Sequence, residues 1–258
     1  SASGDALTTA VAGTSASFNV TIKDANGNAY GTTEWTSYLQ SQSNFVECTL
    51  TPSATCTVTD NQNGVFSVAY VATEARQYAL CVKLKGESSA ISNGAHTITV
   101  APAAVSAANC LISVAGASSL TAGTIGSLRL QARDAHNNAL SVRVDTATVD
   151  IVAVAGGGAV AVTMQYIGGG VWEATYAPTA TGQYTVSARV GGVGVNQAGF
   201  DSFTVVPGAA SSAASNVTLS PVCTAASPCA AGTVQIVTIR LFDGLGNPYS
   251  TPSALNNM

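Results

Sequence analysis

Hydrophobic and polar residues alternate with a period of two in short segments along the chain. Phe18, Val20 and Ile22 alternate with polar neighbours, and residues 66–70 repeat the pattern. A period of two places one set of side chains on a single face of a strand, whereas a helix needs a period of about 3.6. No segment of comparable length shows a helical hydrophobic stripe. The pattern predicts half-buried β-strands.

One motif recurs three times at a near-constant spacing. Each copy begins with Ala-Gly-Thr, continues as a strand-like stretch and ends in an Asp-containing turn sequence; the copies span residues 12–28, 122–138 and 231–247, with spacings of 110 and 109 residues. A second motif contains a glycine, an aromatic residue and two tyrosines, and spans residues 64–80 and 170–186. Short strands, frequent turns and about 100 residues per unit predict an all-β protein of tandem immunoglobulin-like β-sandwich repeats.

These motifs predict three repeats. Repeat 1 is expected at residues 1–101 with an incomplete first strand, repeat 2 at 102–207, and the truncated N-terminal part of repeat 3 at 208–258. Ala- and Ser-rich connectors at 102–108 and 207–215 are short enough to favour a semi-rigid rod. Because both outer repeats lack parts that repeat 2 has, the natural protein is expected to continue in both directions.

With these motifs the chain resembles the filamin-type repeat, an immunoglobulin-like domain family. The resemblance lies in the opening Ala-Gly strand motif, in residues 170–178 (Gly-Val-Trp to Tyr-Ala-Pro) and in the closing Gly-Gln-Tyr of residues 182–184. Repeat 1 departs from the pattern, because no Pro follows the Tyr and Arg76 stands in place of Gly182. The bacterial adhesin immunoglobulin-like repeat is also similar through its Asp-x-x-Gly-Asn turn, but it lacks the aromatic, Tyr and Pro trio.

The resemblance implies seven-stranded sandwiches strung into rods, with structural or adhesive roles. Some members of the family bind a partner peptide as an extra strand at a sheet edge, which here would require an open edge. We therefore expect no enzymatic activity, no cofactor, and protein partners that are other copies or neighbouring chains of a filament.

The composition favours a location outside the cell. Charged residues make up only 9% of the chain and hydrophobic residues 47%, so small neutral side chains must cover the surface. The net charge is −4, and the nine Lys and Arg residues are scattered, which argues against nucleic-acid binding. No apolar run reaches the roughly 18 residues of a membrane span.

The expected location is extracellular or at the cell surface. The Ala- and Gly-rich, Lys-poor bias fits a GC-rich genome such as a green alga's, so a filament of the ciliary surface or a gamete-adhesion protein is the specific expectation. The alternatives are an intracellular cytoskeletal or axonemal scaffold, and an accessory binding module of a larger enzyme.

The six cysteines favour disulfides over a metal site. The sequence contains no Cys-x-x-Cys pair and only two histidines, which argues against zinc. Cys223 and Cys229 flank a short loop that a disulfide could close, and Cys48 and Cys56 could staple a hairpin around Pro52. The alternative is that these residues are buried thiols.

The remaining candidate sites concern glycans, contacts and cations. Asn19 and Asn216 begin N-glycosylation sequons, and Trp35 with Tyr38 is the candidate contact surface. Residues 24–28 faintly resemble a calcium loop, but they lack the distal Glu of such loops, and a turn explains them better. His96 and His136 have no partner that would make a nucleophile and base pair, so no catalytic residue is expected.

Overall fold

The computed structural model describes residues 1–33, 45–115, 119–143, 146–155, 158–195 and 202–249, and these residues are mainly β-strands and turns. They form two compact units. The first comprises Ser1–Asn109 with Ala132–Val142, and the second comprises Cys110–Gln131 with the described part of Arg143–Met258. The predicted all-β fold class of immunoglobulin-like sandwiches is confirmed.

The first unit is a sandwich of two four-stranded sheets. Its strands are β1 (Ala2–Ser3), β2 (Thr9–Val11), β3 (Ala16–Thr21), β4 (Val46–Thr51), β5 (Thr55–Asp60), β6 (Val65–Val71), β7 (Gln77–Leu84) and β8 (Ala90–Ala101), with a 3-10 turn at Asp5–Leu7. The sheet orders are β1-β3-β6-β5 and β2-β8-β7-β4. Only the β2–β8 pair among these is parallel.

The second unit repeats this topology. Its strands are β9 (Leu111–Ala115), β10 (Ser119–Thr121), β11 (Gly126–Gln131), β12 (Ala147–Ala153), β13 (Ala159–Val160), β14 (Gln165–Gly168), β15 (Val171–Tyr176), β16 (Gly182–Val190), β17 (Val193–Gly194) and β18 (Ser202–Val206). The sheet orders are β9-β11-β15-β14 and β10-β18-β16-β12-β13, and β17 pairs with β16. The parallel β10–β18 pair corresponds to β2–β8 in the first unit.

The cores follow the alternation in the sequence. Val20 and Val68 are fully buried and lie opposite Phe66 and Phe18 in the β3–β6 ladder, whereas the intervening Asn19 faces outward. The aromatic residues of the second motif are all at most 5% exposed: Phe66, Tyr70, Tyr78, Trp172, Tyr176 and Tyr184. Burial of such side chains supplies most of the driving force for folding.

Tyrosine corners fix the turns that precede β7 and β16. The Tyr78 hydroxyl donates to the Glu74 carbonyl oxygen at 3.3 Å, and the Tyr184 hydroxyl donates to the Ala180 carbonyl oxygen at 2.8 Å. This back-bonding to the chain a few residues upstream is a hallmark of immunoglobulin-like sandwiches. The turns differ where repeat 1 departs from the motif, since Gly182 has φ +138° and is replaced there by Arg76.

The residues assigned to the third repeat form one antiparallel pair, β19 (Asn216–Ser220) with β20 (Ile236–Arg240). Every position in both strands is exposed, including Val217 and Ile239. The alternating pattern there predicts a half-buried strand, but no second sheet covers this pair among the described residues.

We expect Leu130→Ala to lower the free energy of unfolding of the second unit by about 2–5 kcal/mol. Leu130 is fully buried in β11, so the substitution leaves a cavity in the core. Ile125→Ala, at a side chain that is 75% exposed, should change it by less than about 0.5 kcal/mol. Urea titration followed by circular dichroism measures both; equal effects would contradict the assigned core.

Candidate interaction site at the aspartate loops

Three equivalent loops follow β3, β11 and β20, the strands of the three repeat motifs. We call residues 24–28, 134–138 and 243–247 the Asp loops. In each, one carboxylate oxygen accepts hydrogen bonds from the backbone amides two and four residues later, at 2.8–2.9 Å. The fourth residue has a positive φ, which glycine and asparagine tolerate best: Gly27, Asn137 and Gly246. The loops are therefore pre-organised by their own Asp.

The terminal Asn of each loop bonds back to the other carboxylate oxygen. The side-chain amides of Asn28, Asn138 and Asn247 donate to it at 2.9, 2.8 and 2.9 Å. This arrangement holds the Asn side chain in one orientation. The second N–H of the Asn side chain and the side-chain carbonyl oxygen are thereby held in a fixed direction.

In the first unit, loop 134–138 docks against a tight turn. The Asn138 side-chain nitrogen donates to the Thr73 carbonyl oxygen at 2.7 Å, and the Ala75 amide donates to the Asn138 side-chain oxygen at 2.8 Å. The Ala103 amide donates to the second Asp134 carboxylate oxygen at 2.9 Å. We call this turn, residues 73–75, a turn socket.

In the second unit, loop 243–247 makes the same contacts. The Asn247 side-chain nitrogen donates to the Thr179 carbonyl oxygen at 2.8 Å, and the Thr181 amide donates to the Asn247 side-chain oxygen at 3.0 Å. The Gly208 amide donates to Asp243 at 3.0 Å, as Ala103 does to Asp134. Residues 179–181 thus form a second turn socket.

A glycine beside each turn socket leaves room for the loop. A Cβ atom on Gly13 would lie 1.9 Å from Nε2 of His136, and one on Gly123 would lie 3.0 Å from Cδ1 of Leu245. Both glycines also have positive φ values, +74° and +80°. The backbone conformation therefore favours glycine at both positions, and at Gly13 a side chain would also collide with the docked loop.

The tyrosine corners support the turn sockets directly. Glu74 and Ala180, whose carbonyl oxygens accept from Tyr78 and Tyr184, are the middle residues of the two sockets. A turn anchored to a buried aromatic ring presents its carbonyl and amide groups in a fixed direction. The core tyrosines thereby help to position the docking contacts.

The carboxylates of the docked loops are buried but remain ionised. Asp134 and Asp243 are 0% and 1% exposed. Burial raises the pKa of Asp134, but the hydrogen bonds from Asn138 and from the amides of Ala103 and His136 outweigh it, so the pKa lies below its usual 3.8. The balance is the same for Asp243, and its pKa falls to about 2.

The hydrogen bonds favour a turn over a calcium loop at these positions. In Asp134 both carboxylate oxygens accept from nitrogen donors, which occupy the lone pairs that a cation would need. Within the described ranges, no three His, Cys, Asp or Glu residues are arranged to hold a metal ion.

The structure contains two disulfides, Cys48–Cys56 and Cys223–Cys229, with Cα–Cα distances of 6.1 and 5.3 Å. The expectation that Cys48 and Cys56 staple a hairpin is wrong. They lie in β4 and β5, which belong to different sheets, so this disulfide joins the two layers of the first sandwich. Cys223–Cys229 closes the loop between β19 and β20, where Thr224 and Ser227 pair in an antiparallel bridge.

The sheet edges next to β4 and its counterpart β12 differ between the units. The outer side of β12 is occupied by β13, with Ile151 opposite Val160. β4 pairs only with β7 among the described residues, and its Cys48 is tied to the opposite sheet. A partner strand would therefore have to displace β13 to pair with the outer side of β12.

The other candidate residues from the sequence are not part of the Asp loops or the turn sockets. Asn19 and Asn216 are both exposed in strands, and their glycosylation stays a prediction. Nε2 of His96 lies 3.0 Å from the Asn93 carbonyl oxygen. Trp35 and Tyr38 lie outside the described residues. Among the described residues, no helix is both long and apolar enough to cross a membrane.

Sequence reasoning identified the Asp loops as turns but missed the turn sockets. Both sockets bind through main-chain carbonyl and amide groups, so their side chains carry little signal: Ala75 in one corresponds to Thr181 in the other. The two signals in the sequence were the repeated Asn at the end of each loop and the repeated glycine of the Ala-Gly-Thr motif.

Comparison with known proteins agrees with this architecture. The family model described as the Filamin/ABP280 repeat matches residues 1–93. No curated protein sequence matches the chain. The structure is similar to the Escherichia coli adhesin FdeC, with a TM-score of 0.57 and 24% identity over 96% of this chain and 74% of that one. It is also similar to Yersinia pseudotuberculosis InvD, with a TM-score of 0.50 and 20% identity over 93% of this chain and 69% of that one.

The fold and the docked loops define a tandem β-sandwich repeat protein. Its first unit is similar to the Filamin/ABP280 repeat, and the second unit shares the topology of the first.

We expect Asn138→Ala to lower the free energy of unfolding of the first unit by about 1–3 kcal/mol, because it removes both hydrogen bonds to the turn socket. Asn19→Ala, at an exposed strand position, is the matched control and should cost less than about 0.5 kcal/mol. Urea titration measures the difference. Indistinguishable midpoints for the two variants would mean that the docked loop does not stabilise the unit.

We expect the buried carboxylates to make the protein less stable in acid. Their folded-state pKa values lie below the unfolded value of 3.8, so the unfolded chain binds more protons below about pH 4. Their contribution is complete above that pH and is lost as the pH falls through the folded pKa, about 2 for Asp243.

Thermal unfolding between pH 5 and pH 2 tests this. The melting temperature of Asp243→Asn should fall less steeply with pH than that of the unmodified protein. Asp150→Asn, at an exposed position of β12, should retain the steeper slope. Parallel curves for all three proteins would refute the assignment.

Proposed function

We propose that the chain is a non-enzymatic structural or adhesive module of an extracellular or cell-surface fibrous protein, and that its repeats mediate protein–protein assembly. The observation that carries the proposal is the Cys48–Cys56 disulfide, which joins the two sheets of a charge-poor sandwich. Disulfides persist in oxidising compartments and are rare in the cytosol. A surface with few charges fits the same location.

The docked Asp loops support a structural role. Each compact unit includes a loop from the next sequence motif, held by side-chain and main-chain hydrogen bonds. In repeat arrays, shared structure between consecutive repeats makes stability depend on neighbours. FdeC, whose fold is similar, is an adhesin. The ciliary surface of an alga is the particular location that we propose.

Antibodies against the chain, applied to intact and permeabilised cells of its source, test the location. We expect labelling of intact cells. Alkylation of the protein, purified from its source and denatured, should modify two of its six cysteines before reduction and all six afterwards, because four are in disulfides. Peptide N-glycosidase should shift the mass if Asn19 or Asn216 carries a glycan.

The opposite result favours an intracellular scaffold. Labelling only after permeabilisation, together with alkylation of all six cysteines without reduction, would contradict the proposed location. If intact cells are labelled but peptide N-glycosidase does not change the mass of the protein, the proposed location stands and glycosylation of Asn19 and Asn216 is refuted.

A further inference from the structure

The three Asp loops are built alike but differ in what they contact. Asp24 accepts from the amides of Asn26 and Asn28 and from the Asn28 side chain, as its two counterparts do in their own loops. Among the described residues, no connector amide donates to its second carboxylate oxygen as those of Ala103 and Gly208 do to the other two Asp side chains. The Asn28 side chain hydrogen-bonds only to Asp24 within the described residues.

The exposure of the loops reflects this difference. Asn247 is 8% exposed in its turn socket, whereas Asn28 and the other residues of loop 24–28 after Asp24 are exposed. An open depression of about 430 Å³, lined in part by Ser1, Lys23, Asp24 and Ile91, adjoins the loop. Loop 24–28 therefore has the geometry of a docked loop, but no turn socket holds it in the part of the chain that the structure describes.

We propose that loop 24–28 is an interaction site that docks into the turn socket of another filamin-type sandwich. The partner offers a peptide carbonyl to the Asn28 side-chain nitrogen and, two residues later, a peptide amide to the Asn28 side-chain oxygen. A connector amide of the partner donates to the second oxygen of Asp24. A glycine beside the socket admits the loop.

The two occupied sockets indicate what the partner must contain. They share a tyrosine-anchored turn and an adjacent glycine with positive φ, but their side chains differ, as Ala75 and Thr181 show. Recognition through the main chain does not depend on one particular sequence. Any sandwich of this type with an open turn can therefore serve as the partner.

The partner cannot be either socket already described. Residues 73–75 hold Asn138, and residues 179–181 hold Asn247. The hydrogen bonds inside loop 24–28 also lower the pKa of Asp24, chiefly through the Asn28 side chain, so the carboxylate is ionised and able to accept at neutral pH. Little reorganisation of the loop is then needed on docking.

This inference rests on the proposed assembly function and names one contact for it. The test uses an extended chain, in which a second copy of residues 1–110 is fused to the N-terminus of residues 1–258. Asp24 of residues 1–258 then follows an added turn socket at the spacing that separates Thr73 from Asp134. Asn28→Ala is introduced into the 1–258 part of this extended chain and, separately, into the original chain.

We expect Asn28→Ala to change the unfolding equilibrium constant by about tenfold or more in the extended chain, where two hydrogen bonds are lost. In the original chain the change should be less than about twofold. Hydrogen exchange gives a second readout: the Ala75 amide in the added copy should exchange at least about tenfold more slowly when Asn28 is intact. Asn19→Ala is the matched control and should have the same small effect in both chains.

Equal effects of Asn28→Ala in the two chains, with no added protection at Ala75, would overturn the docking proposal. That result would leave the cell-surface location and the disulfides unaffected, since these are measured on the native protein. Labelling confined to permeabilised cells would instead contradict the proposed function while leaving the docking contact in place.

Discussion

A carboxylate that is withdrawn from water must be surrounded by hydrogen-bond donors, and the Asp loops are organised around this requirement. Asp134 receives four donors, from two amides of its own loop, from the Asn138 side chain and from the connector amide of Ala103. Because these donors come from separate segments, satisfying one charge brings a loop and a connector together. The same interaction orients the terminal Asn, which then binds the turn socket.

The turn socket in turn depends on the core of each sandwich. Tyr78 and Tyr184 bury their rings and use their hydroxyl groups to hold the middle carbonyl of each socket. A hydrophobic contact in the core and a polar contact at the end of the sandwich are thereby coupled through one side chain. Since each compact unit also contains a loop of the following sequence motif, its stability depends on residues beyond its own repeat.

The family-model match and the structural similarities carry different information. The filamin family model matches the first repeat, although that repeat lacks the Pro and the closing Gly present in the second. The similarity to FdeC and InvD, at 24% and 20% identity, concerns the fold alone. Filamin-type and adhesin-type repeats were both suggested by the sequence, because alternating strands and an Asp-containing turn are shared by many sandwiches. The disulfide between the sheets and the β13 strand distinguish the two units from one another.

The sequence by itself determined the all-β class, the repeat, the buried face of the main strands in the two sandwiches and the position of the Asp turns, because period-two alternation and turn chemistry act between residues near one another in the chain. Only the tertiary structure decided that Cys48 and Cys56 lie in different sheets and that Asn138 meets Thr73. These contacts join segments far apart in sequence or in different layers. The sockets bind through main-chain groups that nearly every residue has, so no residue type in the sequence predicts them. Their direction depends on how a turn is anchored to the core, and that is settled when the two sheets pack.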